Sequence, residues 1–128
     1  MQMRFTAEFS AERRDNMTIN DVCSLLDAEV VCGKEYLDTE VKMACGSDMM
    51  SDVLAFVKDQ SVLLTGLLNP QVVRTAEMMD MRCVVFVRGK NPDAQIIELA
   101  DDKDIVLLKT KLRMFTACGK LYEAGLKG

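Results

Sequence analysis

The sequence predicts an α/β fold in which a mostly parallel sheet lies between layers of helices. Three apolar runs carry this prediction: residues 61–65, 83–87 and 105–109. Each run is continuously apolar rather than alternating, which is typical of strands covered on both faces. Each precedes a segment with helical spacing of apolar residues, and alternating strands and helices favour a parallel sheet with right-handed crossovers. We therefore expect these strands to share the sheet of a single-domain, three-layer sandwich.

The elements before residue 61 are shorter and less regular. Thr18 and Asp21 resemble a capping box at the start of a short amphipathic helix. Two strand candidates, AEVVCG and TEVKMACG, follow it, and the segment 47–59 places apolar residues at helical spacing. The first sixteen residues are polar and poorly patterned. We therefore expect a tail or arm at 1–16 and the domain at 17–128.

The two prolines of the chain both stand in an Asn-Pro pair after a strand candidate. Asparagine is a preferred helix cap, and proline suits the first helical position because no amide donor is needed there. The sequence therefore predicts that Asn69 and Asn91 cap two helices that begin at Pro70 and Pro92.

Composition and charge exclude several classes of function. The net charge of −4 argues against general nucleic-acid binding, which usually needs a basic surface. The chain contains no histidine, so Ser-His-Asp and Cys-His catalysis are excluded. No apolar run is long enough to span a bilayer or to serve as a signal peptide, so we expect a cytoplasmic protein. The five cysteines lack the spacing of a zinc site, and we expect them to be reduced.

Polar residues that follow the predicted strands are the candidates for a binding site. In an open α/β sheet, ligands bind beyond the carboxyl ends of the strands, where helix N-termini also favour anions. Arg88 and Lys109 are the leading candidates because each directly ends a strand, although an ordinary turn with Gly89 at a positive φ is the alternative. The predicted anion-binding edge comprises Thr65, Asn69, Arg88, Gly89, Lys109 and Thr110, with Lys90 and Lys111 as further cations.

Two further features have more than one interpretation. Ser47 and Asp48 are secondary candidates as hydroxyl or carboxylate ligands, but capping of the next helix explains them too. The last helix carries apolar residues and a glycine at a spacing of three and four: Leu112, Phe115, Gly119, Tyr122 and Leu126. This stripe indicates either docking on the chain's own sheet or a subunit interface in which Gly119 allows close approach.

The order of three stretches points to a known family. These stretches are MTINDVCSLLDAEVVCG, GSDMMSDVLAFVKDQSVLLT and CVVFVRGKNPDAQIIELADDKDIVLLKT. From Thr18 to about Tyr122, the chain resembles the DRTGG domain and, more distantly, the N-terminal domain of HPr kinase/phosphorylase. The literal Asp-Arg-Thr-Gly-Gly run is absent: Asp38-Thr39 stands where an Asp-Arg pair is expected, and Met43-Ala44 where small glycines are expected.

The resemblance implies a regulatory or scaffolding module that is often dimeric and has no assignable catalytic residues or cofactor. Our leading hypothesis is a homodimeric regulatory or ligand-sensing module that binds a nucleotide or another phosphate-bearing metabolite and serves a partner enzyme or kinase. One alternative is a small enzyme for a phosphorylated or carboxylated substrate, with Arg88 and Lys109 as anion clamps. The other is a pure interaction scaffold. We expect no metal, nucleic-acid or membrane binding.

Overall fold

The computed structural model describes residues 17–56 and 60–128. The tail predicted at 1–16 and the end of the helical segment 47–59 lie outside the described residues. The strands are β1 (Glu29–Cys32), β2 (Met43–Gly46), β3 (Ser61–Thr65), β4 (Cys83–Phe86) and β5 (Val106–Lys109). The helices are α1 (Ile19–Leu25), α2 (Met50–Phe56), α3 (Pro70–Met78), α4 (Ala94–Asp102) and α5 (Met114–Glu123), with a short 3₁₀ turn at Lys34–Tyr36.

The five strands form one sheet in the order β1-β5-β4-β3-β2. β2, β3, β4 and β5 are parallel, whereas β1 pairs antiparallel with β5. The prediction that the three apolar runs share a mostly parallel sheet is confirmed. β4 and β5 are each one residue shorter than predicted, but Val87 and Ile105 are still buried beside them.

Helices cover both faces of the sheet, which confirms the predicted three-layer sandwich. On one face, α2, α3 and α4 bury residues such as Val53, Val73 and Ile96 against the sheet. On the other face, α1 and α5 bury residues such as Val22 and Leu121. Because both faces are covered, the central strands are apolar along their whole length.

Two helix starts agree with the sequence. The Thr18 hydroxyl accepts a 3.2 Å hydrogen bond from the amide of Asp21, and the Asp21 carboxylate accepts one of 2.9 Å from the amide of Thr18. This reciprocal pair is the predicted capping box of α1. Asn69 caps α3, because its side-chain oxygen accepts a 2.8 Å bond from the amide of Gln71, and Pro70 is the first helical residue.

The predicted start of α4 is wrong. This helix begins at Ala94, and its cap is Asp93, whose carboxylate accepts a 3.0 Å bond from the amide of Ile96. Pro92 is buried before the helix, and the side-chain oxygen of Asn91 accepts a bond from the Lys109 amine. Aspartate caps as well as asparagine does, so the Asn-Pro-Asp sequence offered two caps. In the structure the second of them, Asp93, is the cap.

The described helices include none that is both long enough and apolar enough to cross a membrane.

Candidate functional site

β4 and β5 are adjacent parallel strands whose connections leave in opposite directions. The helix that follows β4 packs on one face of the sheet, and the helix that follows β5 packs on the other. Where neighbouring connections diverge in this way, a crevice opens beyond the carboxyl ends of the strands. Here it contains a cavity of about 430 Å³. Its lining residues are Leu26, Asp27, Glu29, Gly89, Asn91, Lys109, Thr110, Lys111 and Leu112.

Backbone hydrogen bonds join the two divergent loops at this cavity. The amide of Arg88 donates a 2.8 Å bond to the carbonyl of Leu112, and the amide of Gly89 donates one of 2.9 Å to the carbonyl of Thr110. The Thr110 hydroxyl then donates a 2.7 Å bond to the carbonyl of Leu26, which attaches the end of α1. Three separate segments therefore hold the cavity in shape.

The turn after β4 has an unusual backbone. Arg88 and Gly89 have φ angles of 60° and 68°. A Cβ atom at Gly89 would meet nothing within 4 Å, so glycine is favoured there by the backbone conformation rather than by crowding. A positive φ costs a residue such as arginine about 1–2 kcal/mol, so the hydrogen bonds to the neighbouring loop must offset strain at Arg88.

The charges at the cavity are mixed. The Lys109 amine donates a hydrogen bond to Asn91 and lies 3.8 Å from the carboxylate of Glu29. Asp27 and Lys111 add one more charge of each sign to the lining. This differs from the locally positive edge expected from the sequence, because antiparallel β1 places Glu29 opposite Lys109 in the sheet register.

The structure separates the predicted edge into two parts. Gly89, Lys109 and Thr110 line the cavity, whereas Thr65, Asn69 and Arg88 do not. The guanidinium of Arg88 instead lies against Gly66, where an added Cβ would be 2.6 Å from Nη2.

The second part, at the end of β3, is held together by Asp48. One carboxylate oxygen of Asp48 accepts hydrogen bonds of 3.0 Å from the Thr65 hydroxyl and 2.7 Å from the amide of Gly66. The Ser47 hydroxyl is bonded to the backbone of Met49, and Asn69 caps α3. These polar groups are therefore engaged in joining loops and capping.

Sequence reasoning missed five lining residues as part of the site: Leu26, Asp27, Glu29, Asn91 and Leu112. Leu26 and Asp27 lie in the connection between α1 and β1, and Glu29 is the first residue of β1. No local pattern indicates that β1 pairs with β5. Asn91 was singled out in the sequence, but as a helix cap rather than as a residue of the binding site.

The thiols are not poised for nucleophilic chemistry. All five cysteines are unpaired. Burial raises the pKa of Cys32, Cys45 and Cys118, and burial together with the charge of Asp27 raises the pKa of Cys23. Since the thiolate is the reactive form, each of these shifts lowers reactivity at neutral pH. Among the described residues, no cluster of three or more Cys, Asp or Glu side chains could hold a metal ion.

Comparison with protein-family models decides the family. Residues 21–124 match the model of the DRTGG domain. The chain belongs to the DRTGG domain family. This confirms the resemblance carried by the three sequence stretches, although a search of curated protein sequences found no match.

A solved structure shows the same fold. This DRTGG domain is similar to the crystal structure of the CBS and DRTGG domains of the regulatory region of Clostridium perfringens pyrophosphatase, complexed with the activator diadenosine tetraphosphate. The TM-score is 0.68 at 16% sequence identity, over 97% of this chain and 53% of that chain. The chain thus spans about half the length of the pyrophosphatase region, and at this identity the likeness shows the fold alone.

Proposed function

We propose that this DRTGG domain is a cytoplasmic, non-catalytic regulatory module that works as a homodimer and senses a phosphate-bearing ligand, such as a nucleotide. The observation that carries the proposal is the position of the cavity. It lies where the connections after β4 and β5 diverge, and Lys109 and Lys111 line it. Such a crevice is the usual ligand position in open α/β sheets.

The lining supports a ligand with both an anionic and a hydrogen-bonding part. Lys111 makes no ion pair within the described part of the chain, so its charge is available to a phosphate. Gly89 has no side chain, which lets a ligand approach the backbone. The carboxylates of Asp27 and Glu29 can accept hydrogen bonds from ribose hydroxyls or from an amino group of a base. A nucleotide therefore fits the mixed charges better than inorganic phosphate does.

The pyrophosphatase structure supports the regulatory part of the proposal. Its DRTGG domain belongs to a regulatory region, and the activator in that complex, diadenosine tetraphosphate, contains both phosphates and bases. By analogy, this domain would transmit ligand binding to a partner enzyme or kinase. The analogy concerns the class of ligand and the regulatory role, whereas the binding position is inferred from the cavity of this chain.

The test is calorimetry with a panel of nucleotides and phosphorylated metabolites. We expect one or more of these ligands to bind the wild type, and the variant Lys109→Ala/Lys111→Ala to bind at least about tenfold more weakly, a loss of about 1.4 kcal/mol. The control is Lys34→Ala/Lys42→Ala, which removes the same charge from exposed positions outside the cavity. We expect it to bind like the wild type.

A further variant, Arg88→Ala, defines the extent of the site. Reduced affinity in this variant would mean that the ligand reaches from the cavity to the end of β3. Binding to no member of the panel, or equal binding by the cavity variant and the wild type, would contradict the proposal.

A further inference from the structure

The amine of Lys109 has two partners at the cavity, and these partners differ in charge. It donates a hydrogen bond to the side-chain oxygen of Asn91, which is neutral, and lies 3.8 Å from a carboxylate oxygen of Glu29. Because an ammonium group has three donors, the bond to Asn91 can remain when the amine also binds a phosphate. Glu29 carries the same sign of charge as a phosphate and therefore competes with it for Lys109.

The antiparallel strand β1 places Glu29 at this cavity. Glu29 is opposite Lys109 in the register of β1 and β5. Side chains that are directly opposite in an antiparallel pair have Cβ atoms about 4.5–5.5 Å apart and interact. The parallel strands reach this edge of the sheet with their last residues, whereas β1 reaches it with its first. The carboxylate is therefore fixed beside Lys109 by the sheet itself.

The ion pair between Glu29 and Lys109 is easily displaced. The Glu29 side chain is 74% exposed, whereas that of Lys109 is 29% exposed. Ion pairs with a partner this exposed contribute little, because solvent screens them and two long side chains lose freedom. A ligand can therefore move the carboxylate of Glu29 aside while the bond to Asn91 keeps the amine of Lys109 in the cavity.

The backbone of the two loops offers few donors to a phosphate. The amides of Arg88, Gly89 and Lys90 all donate to backbone carbonyl oxygens, and the amide of Leu112 donates to the hydroxyl of Thr110. None of these four donors is free for a ligand. Phosphate binding in the cavity must then rely on lysine amines, which makes the state of Lys109 decisive.

The other two charges of the lining are free for a ligand. Neither Lys111 nor Asp27 forms an ion pair with another residue that the structure describes. The cavity thus presents one free amine and one free carboxylate, together with the pair formed by Glu29 and Lys109. This arrangement suits a ligand that has a phosphate at one end and hydrogen-bond donors at the other.

We propose that Glu29 is the specificity-determining residue of the cavity, because its carboxylate competes with ligand phosphates for Lys109. A bare phosphate chain meets this carboxylate and gains nothing from Asp27. A nucleotide offsets the same competition, since its ribose and base donate hydrogen bonds to carboxylates. The inference rests on the proposed function for the class of ligand, and it adds the residue that sets the selectivity.

The first test is calorimetry with inorganic triphosphate and with nucleoside triphosphates, on the wild type and Glu29→Gln. Glutamine has nearly the same shape, and the position is exposed, so the variant should fold, which circular dichroism checks. We expect Glu29→Gln to bind inorganic triphosphate at least about fivefold more tightly than the wild type does. Nucleotide affinity should rise less, because an amide accepts hydrogen bonds more weakly than a carboxylate.

The matched control is Glu123→Gln, which removes the same charge from an exposed position at the far end of α5, outside the cavity. We expect it to bind both ligands like the wild type. An unchanged affinity of Glu29→Gln for inorganic triphosphate, or an equal gain in the control, would overturn the inference.

The second test repeats the comparison in a Lys109→Ala background, which completes a double-mutant cycle. If Glu29 acts by occupying Lys109, the gain from Glu29→Gln should largely disappear when the amine is absent. A gain of the same size without Lys109 would mean that Glu29 merely repels the ligand, and the competition would be refuted. The proposed function is decided separately: if no nucleotide binds the wild type, that proposal fails, and the affinities for inorganic triphosphate still decide the role of Glu29.

Discussion

The amide of Gly89 donates a 2.9 Å hydrogen bond to the carbonyl oxygen of Thr110. This bond connects the loop after β4 to the loop after β5, which lead to helices on opposite faces of the sheet. The amide of Arg88 adds a second connection, to Leu112. Since Arg88 and Gly89 both have positive φ angles, the cavity depends on a conformation that the rest of the fold must stabilise.

Two glycines with positive φ should respond differently to the same substitution. Gly89→Ala should lower the free energy of unfolding by about 1–2 kcal/mol, because it introduces backbone strain and no contact. Gly33→Ala should cost about 1–3 kcal/mol more, because its Cβ would lie 2.8 Å from the Cα of Val106 in β5. Urea denaturation measures both. Equal losses would show that the approach of Gly33 to β5 is unimportant.

Thr110→Val and Thr75→Val should have opposite effects on stability. The buried Thr110 hydroxyl donates to the carbonyl of Leu26 and accepts from the amide of Leu112, so its loss should cost about 1–3 kcal/mol. The buried Thr75 hydroxyl has no hydrogen-bond partner among the described residues, and its removal should stabilise by about 1 kcal/mol. Thermal unfolding of both variants checks this pair. Two variants that shift the midpoint in the same direction would contradict it.

Asp48→Ala should destabilise more than Asp48→Asn does. An amide oxygen can still accept from the Thr65 hydroxyl and the amide of Gly66, whereas alanine leaves the buried hydroxyl of Thr65 without an acceptor. We expect about 1–3 kcal/mol for alanine and a smaller loss for asparagine. Asp52→Ala, at an exposed position in the first turn of α2, is the control for loss of a carboxylate near this helix start. A loss as large for the control would mean that charge rather than bonding is decisive.

Stability should fall at alkaline pH because of the cysteines. Burial raises the pKa of Cys83, so the folded state keeps this thiol protonated, whereas the unfolded chain loses the proton at about pH 8.5. The stabilisation is therefore complete below about pH 8.5 and declines above it, by at most about 1.4 kcal/mol per pH unit for each such thiol. Denaturation of wild type and Cys83→Ala between about pH 7 and 10 measures the two slopes. The variant should be less stable but have a shallower decline. Parallel curves would exclude the contribution of Cys83.

Two helix caps, three strands and part of the binding edge were predictable from the sequence. Thr18 with Asp21 and Asn69 with Pro70 form caps from residues within three positions of each other, and both caps are present as predicted. The strands that begin at Ser61, Cys83 and Val106 were also predictable, because burial on both faces leaves continuous apolar runs. Of the predicted edge, Gly89, Lys109 and Thr110 line the cavity, since parallel strands deliver their connections to one end of a sheet.

The remaining features depend on segments that are distant in sequence. β1 pairs antiparallel with β5, and only this pairing sets Glu29 opposite Lys109 and makes the cavity mixed in charge. The periodicity of α5 predicted an apolar stripe, but the sheet decided that Ala117 and Leu121 face inward and Phe115 outward. Helix caps and strands depend on residues that are close together in the sequence, so the sequence alone determined them. Tertiary packing decided the partners of Lys109 and the exposed side of α5. Both depend on which strands pair in the assembled sheet and on which face of each helix that sheet covers.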